Sequence, residues 1–384
     1  NRFISAGLGL AAVALSASPG EADAARLTQV NNFGSNPGAL KMYLYAPDVM
    51  PPNAPVVIAM HGCLPQAADY STGGWMELAD ELKVYVIFPE QTTANNPAYC
   101  FNWGGEDGDA ANMQRGKGEN QSIIDMVDHV KSSYSVNDEK VFVTGFSAGG
   151  AMAAVMLATW PDVFEAGAIS AGVPYYCADS VNGAFRCMSP GVNKTPEQWG
   201  NLVRNNGFPR GYDGPTPRVS IWHGSADSTV VFSNMGELVD QWTNVNGIDG
   251  VPDESQTLTT SGGAHSYRGY ADQSGEIIVE SYEIAGMNHG VALDPGLSEA
   301  AGCGSATGQY FYDEGICSTY LQAQFFGLDN SDSTPPTVTF TTPEDGDTVE
   351  GTITVVVDAF DDDAVESVQF FVDGRPEGVD TTSP

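Results

Sequence analysis

A serine set between glycines is the residue best suited to chemistry in this chain. The stretch "VFVTGFSAGGAMAAVML" runs from an apolar, β-branched segment into small residues, and Gly145-Phe146-Ser147-Ala148-Gly149 at the junction matches G-x-S-x-G. In that pattern a sharp strand-to-helix turn presents the serine hydroxyl, and glycine is needed on both sides because neighbouring backbone approaches closely. We therefore predict that Ser147 is a nucleophile and that the Ala148 N–H points into the same space.

Three histidines follow the serine and are candidates for the base that activates it. A serine hydroxyl needs a base to take its proton and a carboxylate to orient that base, and with this turn the chain order is Ser, Asp or Glu, His. His289, in "AGMNHGVALDPG", lies in a Gly-bounded loop after the last apolar strand. His223 ends a strand and is expected to orient the next loop, and His265 lies in a polar turn expected at the surface. We predict His289 as the base.

The acid is expected in a loop that follows a strand between the serine and this histidine. Asp227, in "WHGSADSTV", has that position. Asp213 precedes the strand and Asp240 lies inside the next helix, so both are weaker alternatives. The sequence therefore predicts a triad of Ser147, His289 and Asp227.

Acyl transfer also needs hydrogen-bond donors for the negative charge that develops on the carbonyl oxygen. One is the Ala148 N–H, and the other is expected in the loop after an early strand. "MHGCLPQAADY" is that loop, with His61-Gly62 at its turn, so we assign the second donor to the Cys63 backbone N–H. Cys63 and Ala148 are thus the predicted oxyanion hole.

The surrounding pattern indicates the fold that positions these residues. Continuous apolar runs are typical of strands buried on both faces of a parallel sheet, and here they alternate with helix-like stretches. The runs are 54–62, 84–90, 140–147, 218–224 and 277–286, and the helix-like stretches include 74–82, 120–134 and 234–247. We predict an α/β-hydrolase with a mostly parallel sheet and the serine on its nucleophile elbow.

Composition changes divide the chain into four parts. Residues 1–24 resemble the remnant of a secretory signal peptide, because a short apolar run ends in small residues and in an A-x-A signal. Residues 25–328 form the predicted catalytic domain, and the polar, Pro-ended stretch 329–336 is a linker. Residues 337–384 alternate as half-exposed strands of an all-β sandwich, immunoglobulin-like or fibronectin-like; about 50 residues are fewer than the roughly 100 of such a domain, so we expect a truncated module.

The charge of the chain excludes several classes of partner. Lys and Arg number 15 against 49 Asp and Glu, a formal net charge of −34. Such a surface repels nucleic acid and anionic membranes, so we expect neither as a partner and predict a neutral substrate. After the first apolar run no segment is long enough for a transmembrane helix, so the mature protein is expected to be soluble. The signal-peptide pattern predicts that it is secreted and extracellular. The sequence does not determine the oligomeric state, and a monomer is the simplest expectation.

Export predicts an oxidising compartment, where an even count of six cysteines favours disulfides over metal binding. Proximity pairs Cys177 with Cys187 and Cys303 with Cys317. Elimination then leaves Cys63 for Cys100. This is one choice among 15 possible pairings.

The segments "HGC", "YCFNW", "GFSAGGAMAAVMLATWPDVF", "SIWHGSAD" and "GMNHG", in this order, resemble the secreted poly(3-hydroxybutyrate) depolymerase family of esterases. The resemblance covers about residues 30–328, and the family also includes feruloyl and acetylxylan esterases. It implies the same triad and the same oxyanion residue, Cys63. Family depolymerases usually continue through a linker into a polymer-binding domain, and this chain stops short of one.

We therefore expect a serine esterase that hydrolyses poly(3-hydroxybutyrate)-type polyesters through an acyl-enzyme and needs no metal or organic cofactor. A solid polyester has no charges to bind, so Trp103 and Trp222 are candidate apolar contacts. One alternative is a feruloyl or acetylxylan esterase acting on esterified polysaccharide. An alternative of another class is a polymer-binding protein whose hydrolase domain is inactive.

Overall fold

The computed structural model describes residues 4–6, 27–105, 110–296, 303–304, 308–328, 337–342, 352, 354–360, 368–372 and 375–380. The predicted linker 329–336 and, apart from 4–6, the predicted signal peptide lie outside these residues. The chain divides into two compact units, Asp23–Leu328 and a second unit of Asn1–Ala22 with Asp329–Pro384. Within the described residues no helix is long and apolar enough to cross a membrane.

The elements follow in chain order. The strands are β1 (Ile4–Ala6), β2 (Thr28–Val30), β3 (Lys41–Tyr45), β4 (Ala54–Met60), β5 (Tyr85–Glu90), β6 (Val136–Phe146), β7 (Ala166–Ser170), β8 (Arg218–Gly224), β9 (Glu254–Thr259), β10 (Ala264–Ala271), β11 (Ile277–Ile284), β12 (Val291–Leu293), β13 (Phe311–Asp313), β14 (Thr337–Thr342), β15 (Val356–Phe360), β16 (Val368–Val372) and β17 (Arg375–Asp380). The helices are α1 (Ala67–Tyr70), α2 (Trp75–Leu82), α3 (Gly118–Ser133), α4 (Ala148–Thr159), α5 (Val181–Met188), α6 (Pro196–Leu202), α7 (Ser233–Val245) and α8 (Ser318–Phe325).

A ten-stranded sheet forms the centre of the larger unit, in the order β2-β3-β5-β4-β6-β7-β8-β11-β10-β9. Its neighbouring strands β5, β4, β6, β7, β8 and β11 are mutually parallel. The strands at both edges, β2 with β3 and β10 with β9, are antiparallel to their neighbours. The prediction of a mostly parallel α/β sheet is confirmed.

The central strands are apolar throughout because each supplies two cores. In β4, Val56 and Ile58 belong to the core cluster on one face of the sheet, and Val57 and Ala59 belong to the cluster on the other. Burial on both faces removes the alternation that a half-exposed strand shows. The five predicted runs coincide with β4, β5, β6, β8 and β11.

Strand β7 lies between β6 and β8, and the apolar-run criterion misses it. Its sequence, "AGAIS", is fully buried but is made mostly of small residues, which carry little β-strand signal. A Cβ on Gly167 would lie 2.7 Å from the Val143 carbonyl oxygen and 2.9 Å from the Leu157 side chain. Close packing against β6 and α4 therefore requires small residues, and for that reason a search for apolar runs does not find this strand.

The described strands of the smaller unit pair in antiparallel fashion. β14 pairs with β15, and β16 pairs with both β17 and β1. This pairing is consistent with the immunoglobulin-like character expected for residues 337–384. β1 comes from the stretch predicted to be a signal peptide.

Candidate active site

The predicted site residues lie on loops that leave the same edge of the central sheet. Strands β4, β6, β8 and β11 run parallel, so the loops that follow them start at their shared carboxyl edge. These loops carry, in that order, Cys63, Ser147, Asp227 and His289. Residues distant in the chain are thereby brought to one place.

Ser147 forms a sharp turn between β6 and α4. Its backbone torsions are φ 56° and ψ −117°, in a region that non-glycine residues rarely adopt, so the turn is strained. The Ser147 N–H donates to the Ser170 carbonyl oxygen at 2.8 Å, which ties the turn to the end of β7. Strain of this kind persists only where the surrounding structure determines it, as these neighbouring strands do here.

The two glycines of the motif are required by backbone contacts. A Cβ on Gly145 would lie 2.3 Å from the Gly149 carbonyl oxygen, so the start of α4 packs directly on the end of β6. A Cβ on Gly149 would lie 2.2 Å from the Met60 carbonyl oxygen, at the end of β4. Since real Cβ atoms do not approach this closely, the helix can begin directly after the serine only with glycine at these positions.

His289 bridges the serine and the aspartate. Its Nε2 lies 2.8 Å from Ser147 Oγ, and its Nδ1 lies 2.7 Å from Asp227 Oδ2. A carboxylate only accepts hydrogen bonds, so Nδ1 carries the proton and Nε2 is left to accept the serine hydroxyl. The basic nitrogen Nε2 can therefore take the proton of the Ser147 hydroxyl.

Asp227 is a buried carboxylate with donors on both oxygens. Oδ1 accepts the backbone N–H groups of Thr229 and Val230, each at 2.9 Å, and Oδ2 accepts from His289. Burial acts to raise the pKa of Asp227, but hydrogen bonds from His223 and His289 outweigh it and keep that pKa well below the usual range. The group is therefore a carboxylate at neutral pH.

Backbone contacts join the loops that carry the aspartate and the histidine. The Ser225 N–H donates to the Ile284 carbonyl oxygen at 2.9 Å, and the Ala226 N–H donates to that of Met287 at 3.0 Å. A Cβ on Gly224 would lie 2.3 Å from the Met287 carbonyl oxygen. The short Asp227–His289 hydrogen bond thus lies between loops that are themselves bonded.

The segment that carries Cys63 lies beside the serine. A Cβ on Gly62 would lie 2.9 Å from the Phe146 ring and 3.1 Å from Ser147 Cβ. Ala148 is the first residue of α4, so its N–H has no partner within the helix. Of the two predicted oxyanion residues, Ala148 therefore follows the nucleophile directly, and Cys63 follows a glycine that lies beside it.

His61 is a residue whose part in this site the motif analysis did not foresee. Its buried ring donates from Nδ1 to the Gly62 carbonyl oxygen at 2.6 Å and accepts the Gln91 N–H on Nε2 at 3.1 Å. Burial lowers its pKa, which favours the neutral form that both bonds require. In a trans peptide the next N–H points away from the carbonyl, so this bond fixes the direction of the Cys63 N–H. The dipeptide His61-Gly62 is the sequence signal for it.

A second set of hydrogen bonds anchors the loop that is disulfide-bonded to Cys63. The Gln91 side chain donates to the Cys100 carbonyl oxygen at 3.1 Å and to Glu119 Oε1 at 2.6 Å. Glu119, on α3, also accepts from the backbone N–H of Asn102 at 2.8 Å. The loop after β5 is thereby attached to a helix.

All six cysteines are paired in the structure. The bonds join Cys63 to Cys100, Cys177 to Cys187, and Cys303 to Cys317, which are the pairs expected from proximity and elimination. The first bond links the loop after β4 to the loop after β5.

Two side chains differ from their predicted positions. Trp222 is 3% exposed, stacks on Tyr282 with ring centroids 3.8 Å apart, and donates to Ser220 Oγ at 2.8 Å. It is a core residue with almost no surface for a substrate, unlike Trp103, which is half-buried. The prediction of a surface His265 is wrong. This histidine is fully buried in β10 and accepts the Ala285 N–H at 3.1 Å, because the polar "turn" is in fact an edge hairpin that packs against the loop of the predicted base.

Comparisons with known proteins identify the family of each unit. Residues 39–257, more than half of the chain, match the family described as Esterase PHB depolymerase, and residues 336–384 match the family described as Bacterial Ig domain.

Similar proteins include a poly(3-hydroxyalkanoate) depolymerase, a feruloyl esterase and an acetyl xylan esterase. The chain is 49% identical over 302 residues to poly(3-hydroxyalkanoate) depolymerase C of Paucimonas lemoignei, which aligns 79% of this chain and 70% of that protein. It is 34% identical over 278 residues to feruloyl esterase B of Talaromyces funiculosus, which aligns 71% and 75%. The solved acetyl xylan esterase from Aspergillus awamori superposes with a TM-score of 0.65 at 27% identity, covering 79% of this chain and 99% of that one. The chain therefore belongs to the poly(3-hydroxybutyrate) depolymerase family of esterases.

Proposed function

We propose that this protein is a secreted serine esterase that hydrolyses poly(3-hydroxybutyrate)-type polyesters, with Ser147, His289 and Asp227 as its catalytic triad. The observation that carries the proposal is the continuous hydrogen-bonded chain from Ser147 Oγ through the imidazole to the buried carboxylate, with distances of 2.8 and 2.7 Å. Family membership supports the ester-hydrolase chemistry.

The reaction begins with attack on the ester carbonyl. His289 Nε2 takes the hydroxyl proton as Ser147 Oγ bonds to the carbonyl carbon, and Asp227 stabilises the imidazolium that forms. The negative charge that moves to the carbonyl oxygen is stabilised by the backbone N–H groups of Cys63 and Ala148. Both donors are oriented before the substrate arrives, so little reorganisation is needed in the transition state.

The second half releases both products. The imidazolium returns its proton to the alcohol oxygen as the ester C–O bond breaks, which leaves the acyl group on Ser147. His289 then takes a proton from water, whose oxygen attacks the acyl carbon, and the serine leaves with that proton. One water is consumed, and one alcohol and one carboxylic acid are formed.

Apolar side chains near the site favour a neutral, apolar substrate. Leu64, directly after the proposed oxyanion donor Cys63, is 56% exposed, although leucine is usually buried. Trp103 is half-buried and packs against the cluster that contains Val230, three residues from Asp227. We assign Trp103 to polymer contact, because binding an uncharged polyester relies on apolar and aromatic surface.

Release of feruloyl or acetyl groups from xylan is the second candidate. It is favoured by the similarity to feruloyl esterase B and to the acetyl xylan esterase structure. The same triad serves either substrate, so the triad does not discriminate between them.

Clearing of a poly(3-hydroxybutyrate) suspension by the purified protein tests the function, beside Ser147→Ala and beside a soluble short-chain ester. Clearing that is lost in Ser147→Ala supports a polyester depolymerase that uses this nucleophile. Ferulate or acetate release from xylan without clearing transfers the function to polysaccharide esters. If Ser147 does not react with an organophosphonate and no ester is hydrolysed, the function is instead that of a non-catalytic polymer-binding protein.

Secretion is proposed on two grounds. Residues 1–24 have the pattern of a signal peptide, and three disulfides form readily in an oxidising compartment. N-terminal sequencing of protein recovered from culture medium should give a start near Ala25. The module 337–384 is proposed to be a spacer, so its removal should leave hydrolysis of the soluble ester intact.

A further inference from the structure

His223 is a fully buried histidine that the proposed triad does not use. It lies at the end of β8, and its Nε2 is 2.8 Å from the Val230 carbonyl oxygen and 3.4 Å from Asp227 Oδ2. Because a carbonyl oxygen only accepts hydrogen bonds, Nε2 carries the proton. One N–H group therefore faces two acceptors.

The other ring nitrogen determines the charge of this histidine. Nδ1 of His223 is buried and has no hydrogen-bond partner in the part of the chain that the structure describes. A proton on Nδ1 would be a buried donor without an acceptor, which costs free energy. The neutral tautomer with its proton on Nε2 is therefore the form that fits the site.

Val230 completes a ring of hydrogen bonds around the carboxylate. Its N–H donates to Asp227 Oδ1 at 2.9 Å, and its carbonyl oxygen accepts from His223. Oδ2 receives the His289 Nδ1–H at 2.7 Å and also faces the His223 Nε2–H. The carboxylate cannot rotate without breaking a bond to this ring or to His289.

We propose that His223 is a positioning residue. Its single Nε2–H is shared between Val230 and Asp227, and this donor orients the carboxylate toward His289 and withdraws part of the negative charge of Asp227. The proposal rests on the proposed function, because it needs His289 to be the base. A carboxylate that accepts an additional hydrogen bond carries less negative charge and therefore stabilises a protonated partner less.

The titratable groups around this cluster do not supply the same effect. Glu283 on β11 is in register with His223, and the ring of Tyr310 lies 6.0 Å from that of His289. Neither is a hydrogen-bond donor to Asp227, whereas the His223 ring N–H faces its Oδ2.

The test compares His223→Gln with His223→Phe in the mature protein, using a soluble short-chain ester. The amide nitrogen of glutamine can replace Nε2 as a donor, whereas phenylalanine keeps a planar aromatic side chain but has no donor at this position. We measure kcat/KM against pH for both, normalised to the sites titrated by an organophosphonate, and record thermal unfolding. In His223→Phe, the pH at which kcat/KM falls on the acid side of the profile, its acid limb, should rise by about half a unit. His223→Gln should keep the wild-type limb.

Two results would overturn the proposal. One is a wild-type acid limb in His223→Phe, which would mean that the histidine acts only in folding. The other is an equal displacement in both variants, which would mean that the donor is not the cause. A wild-type protein that neither hydrolyses the ester nor reacts with the organophosphonate would instead refute the proposed function. Normalisation to titrated sites keeps the comparison valid if His223→Phe folds poorly.

Discussion

The carbonyl oxygen of Met60 lies 2.2 Å from the point that a Cβ on Gly149 would occupy. Met60 ends β4 and Gly149 lies in the first turn of α4, so the loop of the proposed oxyanion donor and the nucleophile turn meet through backbone. Because the obstacle is backbone, no side-chain movement can relieve it. The nucleophile turn and the strand that leads to the proposed oxyanion donor are thus in direct backbone contact.

Gly149→Ala should therefore destabilise the fold by more than about 3 kcal/mol, because the added methyl would overlap the Met60 carbonyl oxygen. Gly236→Ala is the matched control, since this exposed glycine of α7 has no atom within 4 Å of its would-be Cβ. The control should be neutral or slightly stabilising, as alanine is the better helix former. Urea unfolding measures both, and equal midpoints in the two variants would contradict the tight contact.

His61→Phe should lower kcat for the soluble ester by about 10- to 100-fold with little change in KM, because it releases the peptide that aims the Cys63 N–H. His61→Asn is the control, since its amide nitrogen can replace Nδ1 as the donor to Gly62. Recovery of most of kcat in His61→Asn is the expected result. If both variants keep the wild-type kcat, the bond to Gly62 has no part in catalysis.

Stability should fall as pH rises through the range in which Glu280 ionises. Burial raises the pKa of this carboxyl to about 7, against 4.5 in the unfolded chain. Below about pH 4.5 both states are protonated and this contribution to stability is complete; it decreases up to about pH 7 and is then constant. Glu280→Gln should remove this loss, so its advantage over wild type should reach about 3 kcal/mol at pH 8 and vanish near pH 4. Urea unfolding at both pH values checks this, and a pH-independent difference would contradict it.

The double variant Cys63→Ala with Cys100→Ala should lose about 3–4 kcal/mol of unfolding free energy, because this bond closes a loop with a separation of 37 residues. It should also lower kcat, since the oxyanion loop loses its link to the loop after β5. Cys177→Ala with Cys187→Ala is the comparison, with a separation of 10 residues and a smaller expected loss. A double variant at Cys63 and Cys100 with wild-type kcat would show that the hydrogen bonds of His61 suffice.

Trp103→Ala should slow clearing of the polymer suspension by about fivefold or more and leave hydrolysis of the soluble ester nearly unchanged, if this side chain contacts the polymer. Tyr134→Ala is the control, because this exposed aromatic lies near the start of β6, at the opposite edge of the sheet from the site. Equal loss on both substrates would identify Trp103 as a packing residue.

The sequence by itself determines the features that depend on neighbours in the chain. The glycines around Ser147 predict the nucleophile elbow, because this turn is formed by five consecutive residues. The parallel sheet is predictable because burial on both faces leaves continuous apolar runs, and chain order narrows the choice of acid and base to the loops that carry Asp227 and His289.

Only the tertiary structure decides what depends on contacts between distant segments. Ser147 and His289 are 142 residues apart, and their 2.8 Å separation follows from strand order and from the bonded loops after β8 and β11. The sequence alone does not predict that His61 orients the loop of Cys63. It also suggests Trp222 as a surface contact and predicts that His265 is exposed, although both are buried. Each of these side chains owes its environment to another strand or loop, and a local pattern carries no information about which segment will cover it.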